Sequence, residues 1–310
     1  MKNIGIAVHG GAGTILRSSM TPEKEKLYKE ALKEAILEGW NLMNSGKTAV
    51  DAVEKSVEIL ENNSLFNAGK GSVFTNDGKH EMDASIMDGK TLNAGCVSSV
   101  RNIRNPVLLA RKILDNSDFV YLNGKGAEEF ALLHNLKFEE DDYFYDEYRY
   151  SQYLKALVSD KVILDHSEDD VIKKFGTVGA VALDSNGNLA AATSTGGMTN
   201  KKYGRIGDSP IIGSGTYANN STCAVSCTGN GEYFIRSVTA YDVSALMEYR
   251  KLSLEESCQI AVNEKLIAIN GEGGLIAIDK NNNISLTFNS EGMYRAFTKN
   301  GREVISEIYK

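Results

Sequence analysis

Thr177 stands where a polar, acidic tract, Asp165-His166-Ser167-Glu168-Asp169-Asp170, gives way to an apolar run beginning at Val178. A threonine hydroxyl is a poor nucleophile unless a base takes its proton. No histidine or lysine nearby in the sequence has an obvious claim to that role. If the Gly176–Thr177 bond is cut, however, Thr177 gains a free α-amino group, whose unperturbed pKa of about 7.7–8.0 suits a base near neutral pH. Nucleophile and base would then belong to one residue. Gly176 has no side chain to obstruct attack by the Thr177 hydroxyl on its carbonyl. The acidic stretch before it, about 160–176, reads as an exposed linker able to move away after scission. The bland alternative is a threonine opening a strand, since β-branched residues suit a pleated surface.

Other residues keep Thr177 company. Thr193-Ser194-Thr195-Gly196-Gly197-Met198-Thr199 follows it, then Gly204-Arg205-Ile206-Gly207-Asp208, then Ser226-Cys227-Thr228-Gly229-Asn230-Gly231. The planar fork of Arg205 can bind a carboxylate bidentately and Asp208 can answer an ammonium. Within one glycine-bearing loop, with Ile206 and Gly207 between them, both can be aimed at a single small ligand. The Gly229-Asn230-Gly231 stretch can complete such a pocket through backbone groups. Each residue has a plainer reading: a surface ion pair for Arg205 and Asp208, strand-edge hydroxyls for Thr195 and Thr228, and a turn asparagine for Asn67 in Phe66-Asn67-Ala68-Gly69.

Taken in order, these motifs resemble the isoaspartyl peptidase/plant-type asparaginase family of N-terminal-nucleophile hydrolases. The resemblance runs from His9-Gly10-Gly11-Ala12-Gly13 to Glu291-Gly292-Met293-Tyr294-Arg295-Ala296. It implies an α+β fold, the four-layer αββα sandwich. It also implies self-cleavage into an α chain, 1–176, and a β chain, 177–310, of what would be a single domain. By the family pattern Thr195 and Thr228 flank and orient Thr177. Thr228 and the Gly229 amide stabilise the oxyanion, and Asn67 approaches the nucleophile from the α chain. The implied activity is hydrolysis of β-aspartyl amide bonds in isoaspartyl peptides and L-asparagine, with Arg205 taking the substrate carboxylate and Asp208 its ammonium. No cofactor or catalytic metal is implied, although carbonyls between Leu60 and Lys70 can hold a structural monovalent cation, Na+ or K+. The family also implies a dimer of processed αβ protomers. Two positions depart from close relatives: Asn230 stands where threonine or another small residue is frequent, and Ser64 where proline is common. The rivals are an uncleaved aspartate- or asparagine-binding protein and, within the fold, a glycosylasparaginase or a threonine endoprotease.

Composition bounds the partners. The 310 residues carry a net charge of −7, with 34 basic residues that form no dense cluster, which argues against nucleic acid or an anionic membrane. The apolar run near Met1 is too short for a signal-peptide core and no 18-residue apolar stretch follows, so the expectation is a cytoplasmic protein. Cys223 and Cys227, if on one strand, stand about 13 Å apart, too far for a disulfide. With the histidines dispersed, no zinc-like cluster exists. His9-Gly10-Gly11-Ala12-Gly13 lacks the third glycine of a dinucleotide site, and Gly46-Lys47-Thr48 lacks the glycine and flanking strand of a phosphate loop.

The elements that must hold these residues follow from periodicity. Residues 4–8 read as a buried strand running into a glycine loop. Pro22–Asn44 reads as a helix with Leu27, Ala31, Ala35, Ile36, Trp40 and Met43 inward. Thr48-Ala49-Val50-Asp51 looks like a capping box for a second helix. Strands are expected at Ser72–Thr75, His80–Met87 and Thr91–Val100, and helices after Asn105-Pro106, at Ala127–His134 and around Tyr148–Val158. Gly179–Met198 aligns with Gly274–Met293, with identities that include Asp184/Asp279, Asn186/Asn281 and Asn188/Asn283. Both read as strand, Asn-rich turn, strand. Helices at Ser237–Tyr249 and Ser253–Ile269, lying between the two hairpins, suggest layered sheets with helices outside.

Overall fold

A computed structural model of the chain describes residues 3–159 and 176–310. The expected linker therefore lies outside the described residues, except for Gly176, which is buried rather than exposed. The strands are β1 (Gly5–Gly13), β2 (Met82–Asp88), β3 (Ala94–Val100), β4 (Tyr121–Asn123), β5 (Val178–Leu183), β6 (Leu189–Thr195), β7 (Thr216–Ala218), β8 (Cys223–Gly229), β9 (Gly273–Asp279), β10 (Ile284–Phe288), β11 (Gly292–Lys299) and β12 (Ile305–Tyr309). They form two sheets, an eight-stranded one in the order β12-β11-β1-β5-β6-β2-β3-β4 and a four-stranded one in the order β10-β9-β8-β7. The helices are α1 (Pro22–Asn44), α2 (Ala49–Glu61), α3 (Pro106–Asn116), α4 (Gly124–Leu133), α5 (Asp141–Phe144), α6 (Glu147–Ser159), α7 (Gly231–Ser237), α8 (Thr239–Arg250) and α9 (Leu254–Gln259), the last running on through a π-helical stretch, Ile260–Leu266.

Side-chain alternation along the strands sets the layers. Ile6 and Val8 of β1, with Ala180 and Ala182 of β5, pack under Leu32, Ile36, Val53 and Val57 of α1 and α2. Ala7, Val181 and Leu183 point the other way and meet Ala224, Ile276 and Ile278 of the small sheet. The far face of that sheet, Val225, Cys227, Leu275 and Ala277, is covered by Phe234, Val243, Leu254 and Val262. The stack is helices, sheet, sheet, helices, the αββα sandwich that the resemblance implies.

Local signals acted as expected where they were local. The Thr48 hydroxyl accepts from the Asp51 amide while the Asp51 carboxylate accepts from that of Thr48, and Ser253 and Glu256 do the same for α9. The two aligned hairpins share one turn: Asp184 and Asp279 each accept amides two and four residues on, from Asn186 and Asn188 and from Asn281 and Asn283. The four cysteines are buried free thiols.

Several boundaries differ. The glycines after His9 form no loop but continue β1, with an irregularity between His9 and Ala12 in its pairing with β11. Gly10 is required there because a Cβ would run into the Phe66 ring. Ser72–Thr75 is no strand; Thr75 makes only an isolated bridge to Lys201. Leu27 faces solvent, 53% exposed, and Tyr28 and Leu32 take the inward places on α1. The helix expected at Ser237–Tyr249 is α8, Thr239–Arg250, and a further short helix, α7, precedes it across Val238 with φ 49°.

Candidate active site

Thr177 sits immediately before β5, between β1 and β6. Val178 pairs with Ser194, so the next position along each strand brings Thr177 beside Thr195. The Thr177 hydroxyl donates to Thr195 Oγ1 at 3.2 Å. Thr195 in turn donates to the carbonyl oxygen of Gly176 at 3.1 Å and accepts from the Gly197 amide at 3.0 Å. One hydroxyl thus links the candidate nucleophile to the carbonyl it would attack. Thr177 itself is 7% exposed.

Asn67 fixes the loop that follows β6. Its carbonyl accepts from the Gly196 amide at 3.0 Å, its side-chain amide donates to the Gly197 carbonyl at 2.7 Å, and its Oδ1 accepts from the Val73 amide at 3.0 Å. Gly196 lies against it so closely that a Cβ would collide with Asn67 Oδ1. Asn67 therefore reaches Thr177 through the Thr195–Gly197 segment, with its own hydrogen bonds spent on backbone.

Gly176, Thr177, Thr195, Gly197 and Met198 share a small cleft with Arg205, Gly207, Asp208, Ser209 and Gly229. Of the residues singled out in the sequence, Asn67, Ile206, Thr228, Asn230 and Gly231 are not in its lining. Thr228 is buried on β8 and its Oγ1 accepts from the Ala12 amide at 3.3 Å, a tie between the sheets. Gly231 supports the cleft from behind, since a Cβ there would stand 2.9 Å from both Arg205 Nη2 and Asp208 Oδ1. Asn230 donates its amide to Glu272 and keeps a buried side-chain oxygen without a hydrogen bond.

Two ionisable side chains, Arg205 and Asp208, line the cleft with Thr177. Burial pushes Asp208 up to about 7, against the downward pull of Arg205, and its Oδ2 is buried with no hydrogen bond. Arg205 is held fork to fork by Glu232, with Nε–Oε1 at 2.9 Å and Nη2–Oε2 at 3.0 Å. Burial raises Glu232, but the bonds from Arg205 outweigh it and leave the carboxyl below its usual range.

Glu232 was not legible in the sequence, where it reads as one more acidic residue in the first turn of a helix. His9 was missed as well. The fold brings it to Thr177, not to the hydroxyl but to the backbone carbonyl, with Nδ1 at 3.0 Å. Its only sequence signal was the glycine run behind it.

Two sheets stacked between helical layers, with a threonine at the head of an inner strand and an arginine–aspartate pair lining one small cleft, define an N-terminal-nucleophile hydrolase fold. The chain belongs to the asparaginase family whose model, Asparaginase_2, matches residues 1–306. It is 51% identical over 312 residues to the isoaspartyl peptidase of Salmonella typhimurium, covering 100% of both chains. It is 52% identical over 307 residues to the isoaspartyl peptidase of Escherichia coli, 98% of this chain and 96% of that one. The isoaspartyl peptidase/L-asparaginase of Rattus norvegicus is 43% identical over 297 residues, 96% of this chain and 86% of the rat protein.

Proposed function

We propose that this chain is an amidohydrolase that cuts itself between Gly176 and Thr177 and then hydrolyses β-aspartyl amide bonds, in isoaspartyl peptides first and in L-asparagine second. The observation that carries this is the hydrogen-bond chain from the Thr177 hydroxyl through Thr195 to the Gly176 carbonyl, in a cleft that Arg205 and Asp208 also line. The names of the relatives support the substrate class.

In processing, Thr177 Oγ1 attacks the Gly176 carbonyl carbon while Thr195 donates to the developing oxyanion. The hydroxyl proton passes to the Thr177 nitrogen as the C–N bond breaks, leaving an ester. Water cleaves the ester to a Gly176 carboxylate and a free Thr177 hydroxyl and amine. In turnover the amine takes the hydroxyl proton. Thr177 attacks the β-carbonyl of a substrate whose α-carboxylate lies on Arg205 and whose α-ammonium lies on Asp208. The Gly229 amide, on the cleft wall, stabilises the oxyanion with Thr228 buried behind it, and Asn67 keeps the Thr195–Gly197 segment in place. The amine or ammonia leaves, and water releases aspartate from the enzyme.

No step calls for a cofactor. A monovalent cation, Na+ or K+, would be held by backbone carbonyls of the loop 60–70. Its role there would be to brace the backbone on either side of Asn67. A cytoplasmic location is supported by four unpaired thiols, which suit a reducing compartment. Among the described residues no helix is long and apolar enough to cross a membrane. A dimer of processed protomers, an αβ heterotetramer, is supported by exposed apolar residues such as Phe119, Leu132 and Leu133 and is checked by native mass.

The test is denaturing mass spectrometry of purified protein before and after days at neutral pH. Two species of roughly 19 and 15 kDa, split from 33.8 kDa in proportion to length, with the smaller beginning at Thr177, are expected. Thr177→Ala should give one uncut, inactive chain. A persistent 33.8 kDa wild-type species, or activity in Thr177→Ala, overturns the proposal; an uncut wild type that still binds aspartate would be a binding protein.

A further inference from the structure

The ladder between β1 and β5 ends at His9 opposite Gly179. Two residues nearer the cleft, the Thr177 carbonyl has lost that backbone partner and is bonded by a side chain instead, His9 Nδ1 at 3.0 Å. The other ring nitrogen, Nε2, lies 2.9 Å from Ser226 Oγ on the small sheet. From Ser226 the contacts continue to Thr193 Oγ1 at 2.7 Å, Thr216 Oγ1 at 2.5 Å and Ser85 Oγ at 2.7 Å, all buried.

The chain has a direction. A carbonyl only accepts, so Nδ1 carries the ring proton and Nε2 accepts from the Ser226 hydroxyl. Ser226 then accepts from Thr193 and Thr193 from Thr216, while Ser85, with one proton, lies 2.7 Å from both Thr216 Oγ1 and the Ser209 carbonyl. Burial, partly offset by the Thr177 carbonyl, lowers His9 to about 3, so the ring is neutral and has one proton to place. Gly179 supplies an independent observation. A Cβ there would run into Ser226 Oγ and stand 2.5 Å from His9 Nε2, so the missing side chain leaves the room in which the two meet.

We infer that His9 is a positioning residue for the nucleophile, holding the Thr177 carbonyl so that hydroxyl and amine stay aimed once the bond to Gly176 is gone, and that the Ser226 hydroxyl, donating to Nε2, helps keep the ring proton on Nδ1. This rests on Thr177 being the nucleophile. Before cleavage Thr177 is tethered on both sides and Gly176 is held by Thr195. Afterwards one tether is lost, and a terminal residue with freedom about its own bonds loses alignment with the substrate carbonyl. His9 should therefore matter more to turnover than to processing.

The test compares wild type, His9→Phe, His9→Asn and Ser226→Ala as full chains. Processing is followed by intact mass, and kcat and KM for an isoaspartyl dipeptide are measured on the processed fraction. His9→Phe should process at a rate within about threefold of wild type yet lose roughly 10–100-fold in kcat at little-changed KM, the scale of one misplaced hydrogen bond. His9→Asn, whose amide can donate from about the position of Nδ1, should recover most of the loss. Ser226→Ala should fall between. Equal losses in processing and turnover with no rescue by asparagine, or undiminished kcat in His9→Phe, overturn the inference. Should His9→Phe be insoluble, the same contrast in Ser226→Ala decides. Activity in Thr177→Ala would instead sink the nucleophile reading, and this inference with it.

Discussion

Asp208 is 4% exposed and one of its oxygens has no hydrogen bond, as is true of Glu61 and Asp83, but of these three it is Asp208 that lines the cleft. A buried acceptor left without a donor is costly, and an ammonium from a substrate would supply one. The sign of its pH effect follows from burial, which raises it to about 7 in the folded chain. Its contribution to stability is full below the ordinary carboxylate range and is lost as pH rises through about 7. Binding runs the other way, because only the carboxylate answers an ammonium. KM for an isoaspartyl dipeptide should rise about tenfold per unit as pH falls below 7, and in Asp208→Asn it should be high and level across that range. The same variant should be more stable than wild type at pH 8 by about 2–4 kcal/mol, a gap that closes towards pH 4 and is read from urea melts. A gap that widens on acidification would mean that the carboxylate is paired in the folded chain. Thr195 invites a sharper substitution. Thr195→Val keeps the shape but removes the donor to Gly176, and should slow processing about 10²–10³-fold, while Thr195→Ser should stay near wild type. By type alone Thr177, Arg205 and Asp208 read equally well as a strand-opening threonine and a surface ion pair; the resemblance singled them out, and the fold brings them to one cleft. Glu232 and His9 were not legible, because each acts through a neighbour that only the fold supplies.

Elements were legible where their signals are local. Capping boxes at Thr48 and Ser253 and the Asp-led turns at Asp184 and Asp279 are chemistry within five residues, and they stand where the sequence places them. The extension of β1 through its glycines was not legible, because its cause is pairing with Gly292 and Met293 of β11, distant in sequence. The break between α7 and α8 was hidden for another reason. Val238 takes φ 49° and ψ 47°, a region that a β-branched residue enters only at a cost of about 1–3 kcal/mol. With the side chain 44% exposed, Val238→Gly should lose little packing and stabilise the chain by about 1 kcal/mol in urea melts; destabilisation would show that the valine is held by contacts worth more than its strain. The loop after β6 gives the opposite case. Gly196→Ala drives a Cβ into Asn67 Oδ1 and towards Ser72, which should shift the Gly197 amide off Thr195 and cut processing by about tenfold or more. Asn67→Ala in the same background should restore part of the rate, since it removes the atom in the way. No recovery would mean that Asn67 itself is needed at the site.

At the scale of the molecule, the four layers could not be read from periodicity, because a strand buried on both faces looks alike in either sheet; the resemblance supplied them. What the fold adds is the way the two proposed chains are interleaved. In the large sheet, β1, β2, β3 and β4 come from residues 1–176 and β5, β6, β11 and β12 from 177–310. β1 is inserted between β11 and β5, and β6 pairs with β2. Cutting one peptide bond at the head of β5 removes none of these ladders, and each half alone would expose long unpaired strand edges and the apolar faces now covered by α1 and α2. The processed enzyme should therefore elute from a sizing column as one species that resolves into two chains only on a denaturing gel, and urea should unfold both fragments in a single transition. Residues 1–176 and 177–310 produced separately should be insoluble, and produced together should yield active enzyme. Elution of the 177–310 fragment by itself in native buffer would show that the strands from the two halves do not hold each other, and the interleaved sheet would then need a different register.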